Sequence, residues 1–144
     1  MYPKKCGECG GAVSVSSAPI PFELRGETIT VPDIEHGTCE KCGEVLLDPG
    51  AMDQLQREAI RQLKQAKGLL TSEEVRALRR SLGLSQSAFE RLLGTGPKTV
   101  IRWEKGTVFQ SATADRLMRL IRARPELVEV LQNGNSRATS WRAD

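Results

Sequence analysis

Two short cysteine pairs constrain this chain more than any other feature. Cys6-Gly-Glu-Cys9 and Cys39-Glu-Lys-Cys42 hold all four cysteines, with residues 10–38 between them. A Cys-x-x-Cys turn lets two thiolates converge on one ion while backbone N–H groups point at the sulfurs, and two such turns complete a tetrahedral four-sulfur site. Gly10 and Gly43 follow the pairs and Gly7 sits inside the first, which permits the tight backbone required. Zinc is the expected ion, although four sulfurs alone do not discriminate it from iron. Four thiolates leave no open position for water or substrate, so the expected role is structural. Disulfides would require an oxidising compartment, and a redox pair would require one Cys-x-x-Cys opening a helix after a buried strand, whereas both pairs lie in polar, Gly-rich turns. His36, three residues before Cys39, reads as a packing or surface residue beside a complete ligand set.

Between and after the pairs the chain reads as strands: Ala12–Ser16, Ile20–Leu24, Thr28–Val31 and Glu44–Leu47, with Arg25-Gly26 turning a hairpin. The expectation is one small sheet pinned by metal at one end. About 50 residues bury too little core to stand alone, and metal binding on the order of 10–16 kcal/mol is a sufficient substitute. Residues 1–50 carry four Lys/Arg against eight Asp/Glu, net −4, while residues 51–144 carry seventeen against ten, net +7. The acidic module therefore suits a protein partner, through an exposed strand edge for example, and the basic remainder suits phosphates.

Asp48-Pro49-Gly50 closes the first module. Met52, Leu55, Ala59 and Leu63 then mark an amphipathic helix running to about Lys67, with Gly68 as its stop. Thr71-Ser-Glu-Glu74 has the form of a capping box opening a helix with Val75, Leu78 and Leu82 inward. Ser85 is an N-cap for a second helix carrying Ala88, Phe89, Leu92 and Leu93 and ending at Gly94. Pro97 suits the first position of a third, from about Pro97 to Lys105. In it Val100 and Trp103 share a packing face while Lys98, Ile101, Arg102 and Lys105 project elsewhere. Lys98 and Arg102, four apart, would leave one side together, and Arg102 could offer two parallel donors to guanine in a major groove. A helix from about Ala112 to Arg124, with Leu117, Leu120 and Ile121 apolar, and a short one from Pro125 to Leu131 complete five helices.

The run Leu-Gly-Leu-Ser-Gln-Ser-Ala-Phe-Glu-Arg-Leu-Leu-Gly from Leu82 to Gly94, followed by Thr-Val-Ile-Arg-Trp-Glu-Lys-Gly, resembles the Xre-type repressor family. That resemblance implies an all-α, lambda-repressor-like helix-turn-helix domain. It also implies that Gln86 and its helix N-terminus meet a phosphate, and that Arg79 and Glu104 form a buried ion pair. With Gln86, the candidate DNA contacts are Lys98, Thr99, Ile101, Arg102 and Lys105.

Taken with Pro21-Phe22-x-x-Arg25-Gly26, His36-Gly37, the cysteine pairs and Arg124-Pro-Glu-Leu127, the whole resembles the MqsA antitoxin family of zinc finger proteins. The resemblance implies a small zinc-bound α+β N-terminal domain that binds a toxin, in that family an mRNA-cleaving ribonuclease. It implies further that the C-terminal domain dimerises and binds a palindrome in double-stranded DNA upstream of its own operon. The match breaks at Lys98, where a well-known member has asparagine, so the operator does not carry over.

The expected organisation is a toxin-interaction domain with connector helix over 1–67, a DNA-binding and dimerisation domain over 68–132, and a polar, disordered tail over 133–144. A stand-alone regulator without a toxin is the alternative function. An enzyme or redox protein finds no free cysteine, uncommitted histidine or clustered acid pair to work with. The opening Met-Tyr-Pro-Lys-Lys-Cys lacks the apolar core of a signal peptide and no 18-residue apolar run exists, so a cytoplasmic protein with no membrane partner is expected.

Overall fold

β-branched residues alternate through Val13-Ser-Val-Ser16 and run unbroken through Thr28-Ile-Thr-Val31, and both stretches are extended in the computed structural model, which describes residues 2–137. The chain divides into two units, Met1–Leu63 and Lys64–Asp144.

In the first unit, strand β1 (Val13–Ser16) pairs antiparallel with β4 (His36–Cys39), Val13 opposite Cys39, and β4 pairs antiparallel with β5 (Val45–Leu46). The order β1-β4-β5 makes β4 the central strand. Strands β2 (Ile20–Leu24) and β3 (Glu27–Val31) form a separate two-stranded ribbon with Ile20 opposite Val31. Its turn is Arg25-Gly26, both at positive φ (51° and 79°), the backbone that a two-residue hairpin turn demands. The single sheet expected from sequence is thus two sheets. Pro32 has no N–H to donate and Asp33 turns at φ 62°, so the ribbon ends before the chain enters β4.

Helix α1 (Pro49–Lys67) follows at once. Asp48 caps it, its Oδ1 accepting from Ala51 N at 2.7 Å, and Pro49 occupies the first position, where no N–H is needed. Leu55, Ala59 and Leu63 are buried as expected, joined by Ala51 and Ile60, but Met52 is exposed.

The second unit contains α2 (Ser72–Ser81), α3 (Gln86–Leu93), α4 (Thr99–Lys105), α5 (Ala112–Ala123) and α6 (Leu127–Arg137). The side chains of Thr71, Ser85 and Ser111 accept from the N–H three residues on, at 3.1 Å each, fixing the starts of α2, α3 and α5. Gly94 ends α3 in the left-handed region, φ 76°. Leu70, Val75, Leu78, Phe89, Leu92, Val100, Trp103, Met118 and Ile121 form one buried cluster.

Three expectations need correction here. Helix α4 begins at Thr99, not Pro97: Pro97 and Lys98 form a turn, and Lys98 is the N-cap at φ 64°. Leu120 is 57% exposed, because Met118 fills the core and a residue two places on lies about 200° around the helix. Helix α6 runs six residues beyond Leu131, through Arg137, since each added residue gains a backbone hydrogen bond whatever its polarity. The expected tail therefore overlaps α6, and its residues 138–144 lie outside the described residues.

Candidate metal centre and nucleic-acid interface

Both cysteine pairs use the same backbone turn. Gly10 N donates to Cys6 O at 2.9 Å and Cys6 N to Gly11 O at 2.8 Å; in the second pair Gly43 N donates to Cys39 O at 3.0 Å and Cys39 N to Glu44 O at 2.9 Å. Gly10 and Gly43 sit at φ 73° and 76°, where a side chain is strained. Gly11 has another reason to be glycine. A Cβ there would lie 2.7 Å from Lys41 Cβ and 3.0 Å from Cys39 Sγ, so only glycine lets the two turns close on each other.

The four sulfurs then lie within 4.8 Å of one another. Cys6 and Cys42 are 3.8 Å apart and Cys9 and Cys39 3.4 Å, against about 3.8 Å between sulfurs each about 2.3 Å from a tetrahedral zinc. Backbone N–H groups of Glu8, Gly11 and Lys41 point at Cys6, Cys9 and Cys39 respectively, each at 3.4 Å. The donor set fits zinc, and Cys6, Cys9, Cys39 and Cys42 form its site.

The sulfurs do not share charge evenly on their own. The backbone N–H of Cys42, burial opposing and Lys41 N–H assisting, pulls the Cys39 thiol down to about 6. Cys42 is drawn down by the Glu44 N–H, yet its hydrogen bonds to Cys9 and Cys39 push it up to about 12. Four thiolates so close repel one another; a divalent cation supplies the charge that lets all four ionise together. Bound there it holds the fold, since no coordination position remains for substrate.

His36 is buried, its Nδ1 2.7 Å from Ile34 O, and is outside the sulfur cluster. It is a packing residue of β4.

In the second unit, Val100 and Trp103 pack α4 into the core, leaving Lys98, Arg102 and Lys105 exposed and Thr99 and Ile101 half-buried. Glu104, on the inner face, has a 1% exposed side chain and receives Arg79 Nε at 2.8 Å and Arg76 Nε at 3.1 Å. Burial raises the Glu104 carboxyl, but Arg79 and Arg76, with a smaller contribution from Gln86, hold it below the ordinary range. Arg79 also donates to Leu84 O, so one side chain joins α2, the α2–α3 turn and α4. Gln86 is half-buried at the start of α3, with its side chain reaching Glu104.

The family model described as the antitoxin component of a bacterial toxin-antitoxin system, MqsA, matches residues 4–132. A curated relative, Antitoxin MqsA of Escherichia coli (strain K12), is 26% identical over 131 residues, covering 89% of this chain and 99% of the relative. The chain belongs to the MqsA antitoxin family.

In this MqsA-family chain some working residues gave no local signal. Arg76 joins the Glu104 pair from the same helix as Arg79, a placement visible only once α2 and α4 are packed. Glu90 lies in α3 with its carboxylate on the N–H of Val100, a contact across the turn that spacing does not announce. Asp48 could have been found, since Asp-Pro before an apolar periodic run is a helix start. No helix among the described residues is long and apolar enough to cross a membrane.

Proposed function

We propose that this antitoxin represses its own operon by laying α4 in the major groove of a palindromic DNA site, as a homodimer, and neutralises a ribonuclease-type toxin through the zinc-bound domain. It belongs on this reading to the type II class. The observation that carries the DNA half is how the cations of the second unit divide. Arg76, Arg79, Arg119 and Arg122 each pair with an acid of the same unit; of the exposed cations with no such partner among the described residues, Arg80 and Arg116 stand singly on α2 and α5, whereas Lys98, Arg102 and Lys105 gather on α4 and its N-cap. Unpaired cations on the outer face of one short helix, whose inner face is anchored by Trp103 and Glu104, suit a phosphate-lined groove.

Arg102 is the base reader on this account, its guanidinium matching guanine O6 and N7, and Lys98 and Lys105 contact phosphate. Thr99, Ile101 and Gln86 line the approach. Two copies on a two-fold site would place their α4 helices one duplex turn apart. The acidic first module, with β1 at a sheet edge and Val15 exposed on it, is the surface for the toxin.

Gel retardation on DNA from upstream of the gene tests the reading. Arg102→Ala should lose about 1–3 kcal/mol of discrimination against competitor DNA per half-site. Zinc content and toxin capture should not change. Equal retention of parent and variant on operator DNA would overturn it.

A further inference from the structure

Glu90 is a carboxylate inside the helix-turn-helix core, only 7% exposed, and it has no ion-pair partner among the described residues. A buried charge so placed is costly unless something offsets it. Its Oε1 accepts from Val100 N at 3.1 Å, in the first turn of α4, where the helix's orphan N–H groups favour an anion. That turn has no side-chain cap of its own, because Lys98 at the N-cap is left-handed and lysine is not an acceptor. The backbone of Glu90 is equally committed: its carbonyl oxygen receives Gly94 N at 2.9 Å and Thr95 N at 3.0 Å. One residue thus ties the end of α3, the turn and the start of α4, while the Glu104–Arg79 pair ties the other end of α4.

We propose that Glu90 is a positioning residue for DNA reading: it fixes α4 about its own axis so that Arg102 meets base edges, and thereby sets base discrimination rather than general DNA affinity. This rests on the reading of α4 as the DNA-contacting helix. Two pins at opposite ends leave a seven-residue helix no freedom to roll. With the Val100 N–H already taken, α4 addresses the duplex through its side chains. Loss of the first pin would let the guanidinium swing off its bidentate geometry while Lys98 and Lys105 still found phosphate, which is indifferent to sequence.

The test uses the full chain and duplexes selected by the parent from a randomised library. Retention on the selected duplex relative to a scrambled one is compared for parent, Glu90→Gln, Glu90→Asp and Glu90→Ala over the same series of salt concentrations, alongside amide exchange at Val100. Glu90→Gln keeps an acceptor oxygen and should keep the ratio within about threefold, with Val100 protected. Glu90→Ala should lower the ratio about tenfold or more, the scale of one bidentate base contact, with scrambled-duplex retention and its salt slope unchanged. Should Glu90→Ala not fold, Glu90→Asp carries the test, because its shorter arm moves the acceptor off Val100 and should lower the ratio too. A folded Ala or Asp variant with the parent's ratio, or an equal loss on both duplexes, overturns the proposal. If the parent itself selects no duplex, the DNA reading fails, and the exchange at Val100 still reports separately whether the cap exists.

Discussion

Lys98 occupies the left-handed region at φ 64°, where a lysine Cβ is crowded and asparagine is tolerated. Lys98→Asn should therefore raise the stability of the second unit by about 0.5–1 kcal/mol, read as a higher midpoint in urea, while weakening DNA retention through the lost charge. Glu104 behaves in the opposite sense. Its side chain is 1% exposed and Arg79's 12%, so Arg79→Ala leaves a buried carboxylate with only the half-exposed Arg76 beside it and should cost about 3 kcal/mol. Arg76, 44% exposed, should cost about 1 kcal/mol or less. The same carboxylate sets a pH dependence. Glu104 and Asp115 are both held below their ordinary 4.5 and 3.8, by Arg79 and Arg76 in one case and by Leu70 N–H, Arg119 and Gln110 in the other, burial opposing in each. The unfolded chain then binds protons first, so the stability these groups contribute is complete above about pH 4.5 and drains away as pH falls through their lowered folded values. Denaturant midpoints should be flat near neutrality and fall below that point, less steeply in Arg79→Ala.

At the scale of elements, short helices lean on their caps. Helix α3 has eight residues, and Ser85→Ala should cost about 1 kcal/mol in thermal or urea unfolding. Ser85, Thr71 and Gly94 were legible in the sequence because capping is local chemistry, and so was the hairpin at Arg25-Gly26. The sulfur site was legible for the same reason: ligand spacing and flanking glycines all lie within six residues, apart from Gly11, whose necessity arises only where the two turns meet. What was not legible depends on partners distant in sequence. Strand β4, His36-Gly-Thr-Cys39, has no alternating apolar pattern and is a strand because β1 and β5 flank it. Pro97 advertises a helix start, but Glu90 takes the Val100 N–H and the chain reaches it through a left-handed Lys98, so α4 opens two residues later. On α5 the unbranched Met118 fills the core and leaves Leu120 exposed, a choice between two apolar side chains that only the packed neighbours decide.

At the scale of the whole molecule, composition and architecture agree. The acidic residues 1–50 lie in the unit that carries the sulfur site, and the basic remainder contains the helix-turn-helix. Metal binding should supply most of the first unit's stability, while the second has its own buried cluster. The most direct test is a double dissociation on the full chain, measuring capture of the toxin encoded beside it and retention on upstream DNA, after chelation and in Arg102→Ala. Chelation should abolish capture and leave retention, and Arg102→Ala should do the reverse. Loss of both activities under either treatment, or toxin capture that survives metal removal, would contradict the division between a metal-held partner module and a DNA-reading one.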